Sequence, residues 1–436
     1  MEDIRTTRHE SGLTILTDKM PGVRSATLGF FFRTGARFEP AELNGISHFI
    51  EHVVFKGTRN RTALEIAVEQ DRLGGNFDAF TTHEETGFAI KVIDDQTAAA
   101  FDLIADMLTN SSFDEKELES EQRVIIEEMK MTEDSPEDYL GEIFNESVFA
   151  GHPLGTNIAG TPDTVRKFDT GVTRKYHEQH FTAANLVIAA AGNIEHDEIV
   201  DLAVSPAFRW LSGGRPGLDS SAGGQQDSRR DGGGTPKLAA PIVVKQNKNL
   251  EQAHLIIATP FVSARDDRRY AADLLANIIG GGTSSRLWQK IREDRGLAYS
   301  VGTSVAMYQD CGIFTIFAGT SPEQTAEVVD ISVAEMRAVV KNGIRESELE
   351  LAKQQSRASI LLSLEDSAAR AASIAQTEML YGRHIPVEET LAKIETVTAG
   401  ELHDLAREYF KTEDVAFTAL GNLKGFKIDR DRLAIS

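Results

Sequence analysis

The chain has 436 residues, 41% of them hydrophobic, and a formal charge of −21 at pH 7. That length is enough for two or three separate cores, with two domains the natural expectation, and the composition is neither that of a disordered chain nor that of a fibre. So acidic a balance argues against nucleic acid or an anionic membrane as partner, and either draws cationic ligands or simply keeps the surface soluble.

The single cysteine, Cys311, rules out an intrachain disulfide and any cysteine-rich metal site, and it suits a reducing compartment. The acidic start Met1-Glu2-Asp3-Ile4 has no basic region followed by an apolar run, so no targeting segment is expected. The longest apolar runs, such as 186–191 and 255–258, are of strand length. A soluble, cytoplasmic protein is the expectation.

Residues 4–33 read as strands and turns: 13–17, a Pro21-Gly22 turn, then 25–33, rich in phenylalanine and β-formers. A helix opens near Asn44 and closes at Gly57, and it carries His48-Phe49-Ile50-Glu51-His52. Thr62-Ala63-Leu64-Glu65 is a capping box that starts a second helix, stopped by Gly74-Gly75. Runs 76–80 and 86–93 form a strand pair. Helices fill 97–110 and 114–131, and two more begin where Ser135-Pro136 and Thr161-Pro162 place a capping residue before proline. A strand at 185–191 ends in Gly192-Asn193, and a helix over 196–211 closes the first half.

Residues 213–237 contain Gly213-Gly214, Gly223-Gly224 and Gly232-Gly233-Gly234 among polar residues and read as a flexible linker. It separates 1–212 from 238–436, and the second part repeats the first. His180-Phe181, a strand and Ala191-Gly192-Asn193-Ile194 recur 229 positions later (421 − 192) as Tyr409-Phe410, a strand and Leu420-Gly421-Asn422-Leu423. Phe113-Asp114 with Glu117-Leu118 recurs 231 positions later (348 − 117) as Ile344-Arg345 with Glu348-Leu349. The chain is thus two copies of one strand-then-helix domain. The counterpart of the first helix, 270–279, reads YAADLLANII and has no histidine, so only the first copy can hold a metal.

On a helix turning about 100° per residue, His48, Glu51 and His52 share one face. Two imidazoles suit zinc, and a carboxylate beside the open coordination position can take a proton from water. The order is that of the inverted-motif zinc peptidases. A catalytic zinc needs a third protein ligand, and the 114–131 helix offers Glu117, Glu119, Glu121, Glu127 and Glu128. Glu121 and Glu128 lie two turns apart on one face, so one could bind metal and the other support a histidine; spacing alone does not choose.

The segments HFIEHVVFKGT (48–58), GGNFDAFTTHEETGF (74–88), ESEQRVIIEEMK (119–130), HPLGTNIAGT (152–161) and IREDRGLAYSV (291–301) resemble, in order and spacing, the pitrilysin family of zinc peptidases. The likeness spans both halves and is nearest to the two-domain subunits of its mitochondrial processing peptidase branch. It implies an α+β fold of two homologous domains, each a mostly antiparallel β-sheet covered by helices. It also implies one Zn2+ per chain, with Glu128, 76 residues after His52, as third ligand, Glu121 as supporting acid and Glu51 as catalytic base. Asp78, Ala79, Phe80 and Thr81 match the strand that pairs with substrate, and Arg292 with Tyr299 matches a pair that binds substrate backbone. Where the family usually has asparagine this chain has Asp78, which, if ionised near the cleft, either tilts preference toward basic residues or alters the pH profile. His83 and His152 fall outside the ligand set and read as exposed loop histidines.

The implied activity is that of a metalloendopeptidase cutting unfolded or extended peptides inside a chamber. Its active particle holds four such domains, so the chain is expected to form a homodimer, or a heterodimer with a related metal-less subunit. The alternative is a non-catalytic or partner-dependent peptide-binding or scaffold subunit.

Overall fold

The computed structural model describes residues 3–206, 208, 234–423 and 425–435, and these form two compact units, each built on one sheet. Five helices matter below: α1 (Ile46–Val53), α2 (Thr97–Asn110), α3 (Glu115–Asp134), α4 (Pro136–Val148) and α5 (Ser367–Tyr381).

The first unit holds the described residues of Met1–Lys130, Thr156–Gly234 and Leu361–Pro386. Its strands are β1 (Ile4–Arg8), β2 (Thr14–Lys19), β3 (Ser25–Phe32), β4 (Asn76–Thr81), β5 (Thr86–Ile93) and β6 (Leu186–Gly192). They lie in the order β1-β2-β6-β3-β5-β4, antiparallel except for the parallel pair of β2 and β6. Because side chains alternate along a strand, the sheet buries two different surfaces. One surface packs Phe30, Phe32, Phe88 and Ile90 against Phe49, Ile50 and Val53 of α1 and Phe101 and Ile104 of α2. On the other, Leu16, Phe31, Val187 and Ala189 meet Ala371, Ile374 and Ala375 of α5. A buried ion pair fixes that helix: Arg370 donates to both carboxylate oxygens of Asp18, at 2.5 and 2.7 Å.

The second unit holds the described residues of Met131–Gly155, Thr235–Ile360 and Val387–Ser436. Its strands β7 (Ile242–Gln246), β8 (Ala253–Phe261), β9 (Ala298–Met307), β10 (Gly312–Thr320) and β11 (Ala416–Gly421) run in the order β7-β11-β8-β10-β9. Again every pair is antiparallel except one, β7 with β11. This is the first sheet's order and its single parallel pair without β1, so the internal repeat extends to strand topology. The expected class, α+β with two mostly antiparallel, helix-covered sheets, is what the structure has.

Each sheet is covered on one surface by a helix from the other part of the sequence. Phe144 and Val148 of α4 pack against Ala258, Ile313 and Ala416 of the second sheet, as α5 packs against the first. The two helices start 231 positions apart (367 − 136), the repeat distance itself. The compact units therefore differ from the contiguous parts 1–212 and 238–436, because 131–155 belongs with the second sheet and 361–386 with the first. Of the glycine-rich stretch 213–237, residues 213–233 lie outside the described residues.

Two helices are shorter than expected. The one beginning at His196 ends at Ala203; Pro206 disfavours helical geometry at Ser205, and residues 209–211 lie outside the described residues. The motif helix starts at Ile46 rather than 44 because Gly45 has φ +96°, outside the right-handed helical region. Among the described residues no helix is long and apolar enough to cross a membrane.

Candidate metal centre and substrate strand

The position of α1 is fixed at its N-terminus. A Cβ at Gly45 would sit 2.5 Å from the Ala159 carbonyl oxygen, so the chain crosses here at a distance only glycine allows. The helix has no side-chain cap of its own. The buried carboxylate of Glu39 does that work from outside, accepting from the backbone N–H groups of Gly45 and Ser47, both at 2.7 Å. Burial raises the Glu39 carboxyl's pKa, against the lowering by those two N–H groups.

With its apolar face in the core, α1 turns His48, Glu51 and His52 toward α3. There Leu118, Glu121, Ile125 and Met129 form the buried stripe, with Glu128 on the same side at its edge. Of the five glutamates that spacing could not separate, Glu119 and Glu127 are exposed, and Glu127 is paired with Lys130 at 2.6 Å. Glu128 Oε2 lies 3.8 Å from His48 Nε2 and 3.5 Å from His52 Nε2, and one donor atom from each of the three residues lies within 4.8 Å of the others. Nitrogen and oxygen ligands at about 2.0–2.2 Å from zinc are about 3.4 Å apart along a tetrahedron's edges, so the donor set fits that ion.

The other ring nitrogen of His52, Nδ1, lies 3.3 Å from Glu121 Oε2, and Glu121 Oε1 accepts from Lys56 Nζ at 2.8 Å. Glu121 therefore orients His52 from behind. Burial alone would raise the Glu121 carboxyl, but His52 and Lys56 outweigh it and hold it below its ordinary value. Burial, then the neighbouring charge of His52, lowers His48 to about 4. Burial also acts to lower His52, but the Glu121 hydrogen bond and the charges of Glu128 and Glu51 raise it overall. His48 is thus neutral, as a metal-binding imidazole must be.

Glu51 is buried beside this cluster, and its Oε2 accepts from the Thr81 hydroxyl at 2.7 Å. Burial raises its carboxyl; Thr81 and His52 pull it down, and Glu128 and Asp78 push it up. Thr81 ends β4, whose outer edge has no strand partner among the described residues. Phe77 on this strand packs edge-on against Phe55, just beyond α1, at 5.1 Å. Asp78 and Phe80 project to the opposite surface of the sheet, and Asp78 is exposed.

In the second unit, Arg292 and Tyr299 stand together. The Arg292 guanidinium lies over the rings of Trp288 and Tyr299, at 4.1 and 4.8 Å, and donates to the Tyr299 backbone carbonyl at 3.0 Å. Tyr299 is 79% exposed. His83 corrects an expectation: it is buried, with Nε2 3.2 Å from the Thr156 carbonyl oxygen. Its loop folds inward, where Ala36 and Arg37 N–H groups bond the carbonyls of Thr82 and His83. His152 is half-buried, its Nδ1 accepting from Leu154 N–H. Sequence reading missed Glu39 and Lys56. Lys56 had a signal, one helical turn after His52; Glu39, nine residues before His48, had none.

Comparison with known proteins follows the same division. A family model described as insulinase (peptidase family M16) matches residues 14–162, and one described as the peptidase M16 inactive domain matches 168–356. An uncharacterized zinc protease of Streptomyces coelicolor is 36% identical, the match covering 98% of this chain and 91% of its own length. The chain belongs to the M16 peptidase family. Another similar relative is the uncharacterized zinc protease YmxG of Bacillus subtilis, 36% identical over 94% of this M16 chain and 96% of its own. Among solved structures, a protease from Helicobacter pylori has the same fold, with TM-score 0.86 and 22% identity over 96% of this chain and 100% of that one. A chain of complex III2 from Candida albicans shares it too, with TM-score 0.82 and 20% identity over 99% of each. The "inactive" description falls on the part whose 270–279 helix has no histidine.

Proposed function

We propose that this M16 chain is a zinc-dependent endopeptidase of the two-domain, processing-peptidase-like kind, acting on unfolded or extended peptides. His48, His52 and Glu128 would hold one zinc per chain, with Glu121 supporting His52. The observation that carries this reading is the convergence of those three donors beside a buried, hydroxyl-anchored Glu51 at the end of an open sheet edge.

When bound, zinc supplies a Lewis acid for the scissile carbonyl and lets water ionise near neutral pH. Glu51 takes the proton from the attacking water and passes it to the leaving amine; Thr81 holds one carboxylate oxygen, leaving the other for the transfer. The β4 edge, through Asp78, Ala79, Phe80 and Thr81, pairs with the main chain of the substrate, so sequence preference is broad and folded proteins are poor substrates. Arg292 and Tyr299 donate to the carbonyl oxygen as it gains charge. The negative balance of the chain supports a bias toward basic peptides.

We read the functional particle as a dimer enclosing a chamber: a homodimer in which each copy brings its own Arg292 and Tyr299, or a heterodimer with a related metal-less subunit. Neither nucleic acid nor membrane is a partner in this reading, and the single buried cysteine supports a cytoplasmic location. A non-catalytic or partner-dependent peptide-binding or scaffold subunit is the alternative, since the fold also occurs in a chain of complex III2. Loss of a zinc donor or of the base would signal that role, and His48, Glu51, His52 and Glu128 are all present.

The test is cleavage of a mixture of unstructured peptides by the purified chain with zinc, beside its Glu51→Gln variant. The wild type cuts; the variant keeps zinc and does not. Cleavage by the variant at the wild-type rate, or zinc-loaded wild type that cuts nothing, overturns the reading.

A further inference from the structure

On the surface of the first sheet that faces α5 there is a cavity of about 220 Å³, lined by β3, β4, β5 and α5 and reaching the open edge at Asp78. Pairing register explains it. Phe31 and Phe80 both lie opposite Gly87, and a Cβ at Gly87 would come within 2.6 Å of the Phe80 ring and 3.1 Å of the Phe31 ring. The two rings, 6.4 Å apart, therefore lie down over the glycine instead of filling the space above it. On the far side α5 presents the small residues Ala368, Ala371 and Ala372, with Gln376 one turn further along. Apolar walls above and below leave a slot.

The charged groups of the slot are both acids, beside the neutral Thr27 and Gln376. Asp78 stands at the edge and Glu85 within, and neither carboxylate makes a hydrogen bond or ion pair among the described residues. Among the described residues no basic side chain lines the slot. Lys91, on the same surface, is held by Asp366 at 2.6 Å, and Arg33 lies 4.0 Å from Glu378. Burial, then the charge of Glu84, raises the Glu85 carboxyl, as expected of an acid with no cation beside it.

An extended peptide added to β4 sends alternate side chains to the two surfaces of the sheet. One set faces α1, where the Thr81 hydroxyl reaches Glu51; the other faces Asp78 and Phe80 and hence the slot. An apolar cavity of about 150 Å³ holds a benzene, whereas whole drug-sized ligands need about 300 Å³ or more, so this slot takes one long side chain. We propose that it is a specificity subsite for a lysine or arginine of the substrate, whose methylene stem lies between the phenyl rings and the alanines and whose cationic head sits between Asp78 and Glu85. The proposal rests on the peptidase reading, and it adds the residue class selected and the groups that select it.

The test uses two measurements on the full chain. Cleavage sites in an unstructured peptide mixture are mapped for the wild type and for Asp78→Asn/Glu85→Gln, a shape-conserving change at partly exposed positions. Binding of a lysine peptide and of its methionine counterpart is measured separately on the zinc-loaded Glu51→Gln chain by fluorescence anisotropy. The wild type should show basic residues enriched at one fixed position relative to the cut, with lysine bound about tenfold more tightly than methionine there; in the double variant that ratio should fall to about one. A wild type that cuts without a basic preference at any fixed position, or a preference unchanged in the double variant, overturns the subsite and leaves the peptidase reading standing. If the wild type neither cuts nor binds peptide, the peptidase reading fails and the subsite with it.

Discussion

Glu121→Gln is the sharpest probe of how the metal centre is built. The carboxylate touches neither the expected zinc position nor substrate; its two contacts are His52 Nδ1 at 3.3 Å and Lys56 Nζ at 2.8 Å. Glutamine keeps the shape and removes the charge. A hydrogen bond to a charged group contributes about 1.5–3 kcal/mol, and each 1.4 kcal/mol is about a factor of ten in affinity. The 3.3 Å separation places this bond near the low end, so the zinc dissociation constant should rise about tenfold, within the 10- to 100-fold range known for residues behind a metal ligand. Folding should suffer less, about 1 kcal/mol or below, because Lys56 is 34% exposed and can return to water. Competition with a chromophoric chelator measures zinc affinity, and urea unfolding of the metal-free chain measures stability. Zinc affinity within twofold of wild type, accompanied by a clear loss of stability, would show that Glu121 is only a packing residue and refute the reasoning.

Three other changes have expected outcomes. Thr81→Val removes the donor to Glu51 and should lower kcat about tenfold with zinc content unchanged, checked by steady-state kinetics and metal analysis. Glu39→Ala leaves the N–H groups of Gly45 and Ser47 without their buried acceptor and should cost about 3 kcal/mol in denaturant unfolding. His177 is fully buried, its Nε2–H donating to the Leu108 carbonyl, and burial lowers its pKa from 6.5 to about 4. Its neutral form contributes stability that is complete above pH 6.5, where the unfolded imidazole is also neutral, and is lost as pH falls toward about 4, by about 3 kcal/mol. Unfolding midpoints across that range should fall less steeply for His177→Gln than for the wild type.

Much of the fold was legible because each part of the pattern has one local cause. The alternation in 86–93, the capping box at Thr62 and the glycine stop at Gly74 each match an observed boundary. The 231-residue repeat was visible in residue types and returns in strand order and in the placement of α4 and α5. Their exchange between units was not visible. An amphipathic helix shows that one face must be buried, but it does not show which sheet will bury it. The same limit applies inside the site. Five glutamates on one helix are equivalent by type, and only the packing of Leu118, Ile125 and Met129 against the core turns Glu121 and Glu128, rather than Glu119 or Glu127, toward His52. Glu39 could not be picked out from the sequence because its partners are backbone N–H groups, which carry no residue signature.

The most direct measurement is a zinc titration of the chelator-stripped chain, following cleavage of an unstructured peptide against zinc added per chain. The account predicts no activity without metal, a linear rise that saturates at one zinc per chain, and no rise for Glu128→Gln at the same concentrations. Full cleavage by the metal-free chain, or an unchanged titration for Glu128→Gln, would contradict it.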